Sequence, residues 1–558
     1  MNVVLRKKGL QIHPSPEGRI IAYINIERED VFIVEEPWPT WINLFHWLTR
    51  EEVVKRELLF REGEPYREQK IQETMRNLRN LAIFALVSIK AVKLPGSTKV
   101  GVVVHTRDLW SLRLENDVQI TDWRFDRLFL QLTERNLFGR HKVASVRFSL
   151  FPFTYRIGEV YTDRRFLGHD FTLQESFDLI INRSSGNVEG NAGSFLFGRP
   201  FYDLSQRWSF DLQANYSVKV VREEKNGEVM AYEIEDSEDG GDVNNKPLRV
   251  YDDRAVSLRA TGRYRHGNAY KQTFITGAGF QWRAVAPNSE SNLAPSQETA
   301  FARDVMPKAR RDVFPFIGYG LYVPRYVVLE DLATFGQSES IRIGPNVSML
   351  MELPLRAFGS STDSFLPYGE LGYVWSQWRT LVEIAVSASA RLEDGRIVDQ
   401  VLSALTRGAT PPFLIGRLVA RLIWEARRAD TSNTPISLGG NNGLRGYESK
   451  AIQFDGYDDL ILGNLEFRTL PLKWESVHAG LVLFYDVGSV YRSFDEIKLY
   501  HAIGMGLRLL FPQFHRYVFR FDFGVPLNRS CCELLFTFGG AQAVRLTAAE
   551  DALVSAEE

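Results

Sequence analysis

Long segments in which apolar and polar residues alternate with period two restrict the folds open to this chain more than any other feature. In residues 207–220, Trp208, Phe210, Leu212, Ala214, Tyr216 and Val218 share one face, and Arg207, Ser209, Asp211, Gln213, Asn215, Ser217 and Lys219 share the other. Residues 516–526 oppose Tyr517, Phe519, Phe521, Phe523 and Val525 to Arg516, Arg520, Asp522 and Gly524. Residues 414–425 repeat the arrangement, with Leu414, Leu418, Ala420, Leu422 and Trp424 against Arg417, Arg421 and Glu425. Successive side chains of a strand point to opposite faces, so each apolar face must meet a sheet core or lipid. These segments exceed the ~5 or 6 residues usual in soluble sheets and suit the ~9–11 residues of a tilted membrane strand.

Composition agrees with that reading. The chain is 558 residues long, 12% of them aromatic, and holds no apolar run of the ~18 residues that a transmembrane helix needs. Membrane barrels escape that test because their alternating strands average to modest hydropathy. A net charge of -2 lacks the basic footprint of a general nucleic-acid binder. No apolar core follows Met1–Gly9, so a secretory signal is not visible in the sequence, and an outer-membrane reading expects a signal already removed or a different start. Cys531 and Cys532 are adjacent, which forbids a CxxC metal or redox site and leaves two unpaired thiols or a vicinal disulfide.

Four regions follow in order: an extension at 1–18, a small mixed domain at 19–108, the alternating region at 109–540, and an acidic tail at 541–558 expected to be disordered or weakly helical. The small domain reads β-α-α-β-β: strand 19–26, helices 49–60 and 68–79, strands 84–92 and 99–106. Thr49-Arg50-Glu51-Glu52 looks like a helix N-cap with a capping glutamate, and Ile71, Met75 and Leu78 follow helical spacing. Asn43, His46 and Thr49 are expected to do local capping and turn work. Short turns at 136–140 and 265–268 alternate with long polar stretches at 223–247 and 284–310, as when one barrel rim is tight and the other carries loops. Counted segment by segment, the alternating region holds 16 to 20 strands, with the ambiguity between Leu329 and Arg427.

The glycine-rich stretch Gly439-Gly440-Asn441-Asn442-Gly443-Leu444-Arg445-Gly446-Tyr447 carries one arginine just ahead of five further alternating segments. Alternation sends Asp486 to the polar inner face with Phe484 and Gly488, and Glu466 inward on the preceding strand. Both carboxylates are therefore expected partners for Arg445, whose guanidinium fork binds a carboxylate bidentately.

With these residues in view, the chain resembles the POTRA-plus-barrel outer-membrane assembly proteins of BamA and TamA type, including the surface-antigen barrel. The resemblance rests on Asn136-Leu137-Phe138-Gly139, Leu444-Arg445-Gly446-Tyr447, Asn464 to Arg468, Asp486 to Val490, Gly504 to Arg508 and Arg520 to Leu527, taken in that order. It implies a membrane all-β protein: an antiparallel transmembrane barrel of sixteen strands, or eighteen, preceded by one small α+β POTRA domain in the periplasm. It also implies that the loop of Arg445 folds back into the lumen, with five strands after it at roughly 458–469, 476–490, 499–511, 515–527 and 531–540. The closing strand, with Leu534, Phe536 and Phe538 on its lipid face, resembles the aromatic-ended signal of outer-membrane barrels. The implied work is folding and insertion of β-barrel clients by strand pairing at a seam between the first and last strands, with the POTRA domain offering its own sheet edge. Partners would be unfolded clients, outer-membrane lipids and periplasmic or lipoprotein subunits, and no nucleic acid. A two-partner secretion pore exporting an unfolded passenger is the alternative; such pores usually carry two POTRA domains and a plug helix, and only about 18 residues precede the single domain here.

No catalytic chemistry is expected. Asp522-Phe523-Gly524 spells a kinase metal motif but lies in an alternating strand without a glycine-rich loop, lysine or HRD partner. HExxH, GxSxG and Walker patterns are missing, and neither a metal nor a cofactor is expected.

Overall fold

The computed structural model describes residues 9–33, 39–121, 124–225, 228–232, 247–336, 338–433, 435–440, 443–448, 450–454, 457–474, 476–512, 518–528, 534–539 and 542–546, with the backbone alone at 116–121 and 124–126. Cys531, Cys532, Asn441 and Asn442 lie outside the described residues.

The N-terminal domain has the expected element order. Strand β1 (Ile21–Glu29) pairs in parallel with β3 (Val100–Asp108), which pairs antiparallel with β2 (Phe84–Lys93). Helix α2 (Glu68–Asn80) presses Ile71, Leu78 and the partly buried Met75 onto this sheet, beside Val53, Val54, Val102 and Val104. The first helix is shorter than its pattern promised: α1 covers only Glu51–Lys55, and Thr49 does not cap it. The carboxylate of Asp108 takes that polar group instead, accepting the Thr49 amide at 2.7 Å and its hydroxyl at 2.8 Å. One sheet edge is partly occupied from within, because Lys93 donates its amide to Gln11 and His13 donates its amide to Ala91.

Beyond Asp108 the chain forms one closed antiparallel barrel. Its strands are β4 (Leu112–Thr121), β5 (Arg124–Glu134), β6 (Lys142–Leu150), β7 (Thr154–Asp163), β8 (Thr172–Asn182), β9 (Val188–Arg199) and β10 (Trp208–Arg222). There follow β11 (Val250–His266), β12 (Lys271–Pro287), β13 (Arg310–Tyr322, resuming at Arg325–Glu330), β14 (Ser338–Glu352), β15 (Ser364–Gln377), β16 (Thr380–Glu393), β17 (Arg396–Ala409) and β18 (Gly416–Arg428). Last come β19 (Asp459–Thr469, resuming at Leu472–Lys473), β20 (His478–Tyr491), β21 (Tyr500–Leu510), β22 (Phe519–Pro526) and β23 (Leu535–Gly539).

The barrel thus has twenty strands among the described residues, not sixteen or eighteen, once the two interrupted strands are each counted once. Five of them follow the loop of Arg445, so the surplus lies entirely upstream, and it preserves parity because it comes as hairpins. Outward residues such as Trp208, Leu212, Leu422 and Met505 are exposed, giving the wall the apolar exterior that alternation required. No helix among the described residues is long and apolar enough to cross a membrane.

Both ends of the lumen are occupied on one side. Loop 429–458 dips in from the rim far from the N-terminal domain, burying Leu438, Leu444, Tyr447 and Ile452 against Leu462, Val490 and Ala502. From the opposite rim, the hairpin joining the two parts of β13 and β14 brings Leu329 and Leu332 against Leu381, Ala409 and Val419. Phe335 at its tip reaches Leu510 and Val518 on the far wall. Val544 and Leu546 complete this cluster, so residues 542–546 of the tail are packed in the barrel rather than disordered or helical. Their carbonyls are held by inward arginines: Arg407 donates to Arg545, and Arg468 donates to Val544.

Candidate functional site

The tip of loop 429–458 meets the wall by close backbone contact. Gly446 has φ +83°, and a Cβ there would lie 3.1 Å from the backbone of Gly524 and Val525. A Cβ on Gly524 would lie 2.7 Å from the Gly446 nitrogen. Two facing glycines therefore let the loop backbone sit directly on β22, a spacing closed to any L side chain.

That approach delivers Arg445 into the wall. Its Nε donates to Asp486 Oδ2 at 2.7 Å and its Nη2 to Asp486 Oδ1 at 2.8 Å, the bidentate fork. The Arg445 amide reaches the same carboxylate at 3.2 Å. Nη1 donates to Glu466 at 2.7 Å and to Asp522 at 3.4 Å. The guanidinium carbon lies 3.7 Å from the ring centroid of Phe484. Arg445 is 1% exposed, with Glu466 and Asp486 at 0%. The neighbours of the motif are equally committed: Leu444 is fully buried, and the Tyr447 hydroxyl donates to the His501 carbonyl at 3.1 Å.

Three further residues belong to this site though the sequence reading passed over them. Asp522 accepts from Arg508 at 2.6 Å and from Arg520 at 3.2 Å as well as from Arg445. Asn464 donates to Asp486 at 2.7 Å and to the Gly443 carbonyl at 2.6 Å, tying loop to wall. Arg468 holds Glu466 at 2.7 Å and also donates to Leu332 at 3.1 Å, which joins the cluster to the hairpin at the opposite mouth. Period-two alternation already placed Asp522 on the polar face, so the signal for it was present. Buried ion pairs gain little net stability over apolar packing but resist loss of one partner, so the cluster specifies position.

The seam is the second feature. Among the described residues, strand β23 pairs with β4 over three residue pairs, Phe536 with Ile120, Thr537 with Gln119 and Phe538 with Val118. By contrast β20 and β21 share eleven. Phe536 and Phe538 lie on the outer face, whereas Leu534 sits one residue before the strand begins and is 62% exposed. Gln542, buried beside the wall, accepts from Arg508 at 2.9 Å. The stretch Leu112–Asp117 of β4 pairs with β5, Leu112 with Glu134 through Asp117 with Phe129.

Asn43, His46 and Thr49 do not cap a helix. Asn43 brackets the backbone of Phe32, donating at 2.8 Å and accepting at 3.2 Å. His46 and Thr49 converge on Asp108, His46 Nε2 at 3.0 Å, at the junction between the N-terminal domain and the barrel. Asn136, in the turn between β5 and β6, donates to Thr49 Oγ1 at 2.9 Å and to the Trp47 carbonyl at 3.0 Å.

Fold and site together define an antiparallel barrel with an apolar exterior, whose inward loop is pinned by a buried arginine and whose closing strands share three residue pairs among the described residues. Among known proteins, a putative outer membrane protein assembly factor of Treponema pallidum is 27% identical over 169 residues, 29% of this chain. The match spans 20% of that relative's length. No protein-family model matches the chain. Similar solved structures include BamA from Haemophilus ducreyi lacking POTRA domains 1-3, at 10% identity and TM-score 0.36, covering 96% of this chain and 89% of that one. CdiB from Acinetobacter baumannii (10%, TM-score 0.44, 94% and 74%) and CdiB from Escherichia coli (11%, TM-score 0.44, 96% and 80%) are others. In its motif order the chain resembles the BamA/TamA-type outer-membrane assembly proteins, and the partial match to an assembly-factor relative agrees with that resemblance.

Proposed function

We propose that this protein works in the outer membrane as an assembly factor that promotes folding and insertion of β-barrel clients by strand pairing at the seam between β23 and β4. The observation that carries the reading is the short closure, three residue pairs between β23 and β4 among the described residues against eleven between β20 and β21. An open edge presents free N–H and C=O groups that template another strand. A client strand paired there has its backbone satisfied before it enters lipid, where each unsatisfied group costs several kcal/mol. The reaction needs no covalent chemistry and no cofactor. The N-terminal domain acts as a periplasmic POTRA domain, and the part of its β2 edge not taken by Gln11 and His13 is available to clients or accessory subunits. Arg445, with Asp486, Glu466 and Asp522, serves as a latch that keeps the loop in the lumen while the seam works.

Export of an unfolded passenger is the second reading. It is disfavoured because a passenger would have to displace the loop, the β13–β14 hairpin and the tail, each packed into the lumen. The test is a pair of cysteines in register across the seam, Val118→Cys with Phe538→Cys. Oxidation is expected to stop client insertion and reduction to restore it; undiminished insertion with the seam locked would refute the gate. Depletion followed by a census of outer-membrane proteins separates the two readings, since insertion predicts loss of many barrels and export predicts loss of one secreted protein.

A further inference from the structure

We propose that the segment Trp41–Trp47 of the N-terminal domain is a lipid-docking surface that rests on the periplasmic leaflet beside the seam. The inference rests on the membrane-barrel reading and adds to it a second, separate contact with the bilayer.

Thr40–Phe45 forms a single helical turn after Pro39. Trp41 is 61% exposed, Leu44 81%, Phe45 68% and Trp47 45%. The Trp41 and Phe45 rings lie 6.5 Å apart, one turn from each other. Scattered exposed apolar residues are ordinary, but a contiguous aromatic patch marks an interface. This one is also held rigidly: Asn43 is bonded to both backbone groups of Phe32, and His46 is bonded to Asp108 and, at 3.1 Å, to Ser111. The polar side is committed to the protein, which turns the apolar side outward.

The occupant follows from what adjoins the patch. Trp47 lies 4.6 Å from the ring of Phe138, which stands in the turn between β5 and β6 and is 52% exposed. Just above that turn, Leu132 and Val146 belong to the apolar exterior of the wall. The patch is thus continuous with the lipid-facing surface and sits at its rim, where indole rings favour the membrane interface. Trp47, Arg50, Phe138 and Arg140 line a shallow cleft of about 650 Å³. Two guanidinium groups beside two aromatic rings match a phospholipid phosphate at the head-group boundary. A protein partner would not need this continuity with the wall.

The full chain, with Cys531 and Cys532 changed to serine, is reconstituted into vesicles of phosphatidylethanolamine and phosphatidylglycerol that carry brominated acyl chains. A fluorophore is attached in turn at Leu44→Cys, Lys55→Cys and Leu212→Cys. Leu212 faces outward on β10 and reports whether the barrel is in the bilayer at all, while exposed Lys55 reports solvent. The expected result is a loss of emission at Leu44 approaching that at Leu212, with none at Lys55. Quenching at Leu212 without quenching at Leu44 would overturn the docking surface and leave the barrel reading intact; no quenching at Leu212 would overturn both. A Leu44 probe blind to lipid but shifted by an unfolded barrel peptide would reassign the patch to clients. In the R50Q/R140Q variant, quenching should fall in vesicles containing phosphatidylglycerol and change little in phosphatidylethanolamine alone. Equal quenching in the variant and the parent would overturn the role of the cleft.

Discussion

The wall that carries the latch and the wall that carries the seam are built from the same kind of strand, yet they are held in opposite ways. Between β19 and β22, strands pair over eight or more residues and three inward carboxylates close around Arg445, Arg468, Arg508 and Arg520. One strand further on, among the described residues, β22 and β23 share five pairs, and β23 and β4 share three. Among the described residues, ladder pairs thus fall away within two strands of the latch. Aromatic contact replaces them, with Phe521 4.6 Å from Phe538 and Phe523 5.2 Å from Phe536. Ring packing is less directional than a hydrogen-bonded ladder, so it constrains the closing strand less tightly. The difference implies that position is stored in one wall and motion is allowed in the other.

The largest expected effect comes from breaking the rigid side. Arg445→Ala leaves Asp486 and Glu466 buried around an empty place and should cost on the order of 3–5 kcal/mol, the usual penalty for removing one partner of a buried pair. The barrel is expected to fold, the loop to leave the lumen and client insertion to fall. A cross-link reporting the distance from Tyr447 to Asn528 reads the loop directly; an unchanged loop with full activity would end the latch idea. A smaller effect is expected from Gly446→Ala, which keeps every charge but adds a Cβ 3.1 Å from the backbone of Gly524 at φ +83°. Strain of this kind costs about 1–3 kcal/mol. If Gly446→Ala impairs insertion while the ion cluster persists, close seating of the loop is itself required.

Much of this contrast was legible in the residues, and the missing parts have a common cause. Alternation assigns Asp486 and Glu466 to the lumen because it depends only on the two-residue period of a strand. It assigns Asp522 there too, but which inward carboxylate meets a loop tip depends on register between strands, and register is a tertiary property. The segment count of 16 to 20 includes the twenty strands found, whereas the sixteen or eighteen implied by the resemblance fall short, and the ambiguity between Leu329 and Arg427 has a local source. Trp378 and Arg379 form the two-residue turn between β15 and β16 with φ of 49° and 64°, a conformation usually signalled by Asn-Gly or Asp-Gly. Asp394-Gly395 carries that signal; Trp378-Arg379 does not. The plug was hidden because Val544 and Leu546 flank a single arginine, too short an alternation to separate from an acidic tail.

The smallest expected effect sharpens the comparison from below, at the junction that supports the seam side of the barrel. His141, in the turn before β6, is 2% exposed, its Nε2 lies 3.2 Å from the Leu81 carbonyl, and its amide donates to Asn136 at 2.8 Å. Burial, followed by the guanidinium groups of Arg164 and Arg56, pushes its imidazole down to about 3. The folded protein therefore keeps His141 neutral while the unfolded chain takes up a proton below about 6.5, so this contribution is complete above that pH and is lost as pH falls. Between pH 6.5 and 5 the loss amounts to about 2 kcal/mol. Hydrogen exchange at Asn136 and His141 should accelerate over that interval and spread to β4 and β5, with the amides of β19 and β20 unaffected. His141→Gln removes the titrating group and should flatten the dependence. If acid loosens the latch wall as readily as the junction, or if His141→Gln leaves the profile intact, the two walls are not independently held.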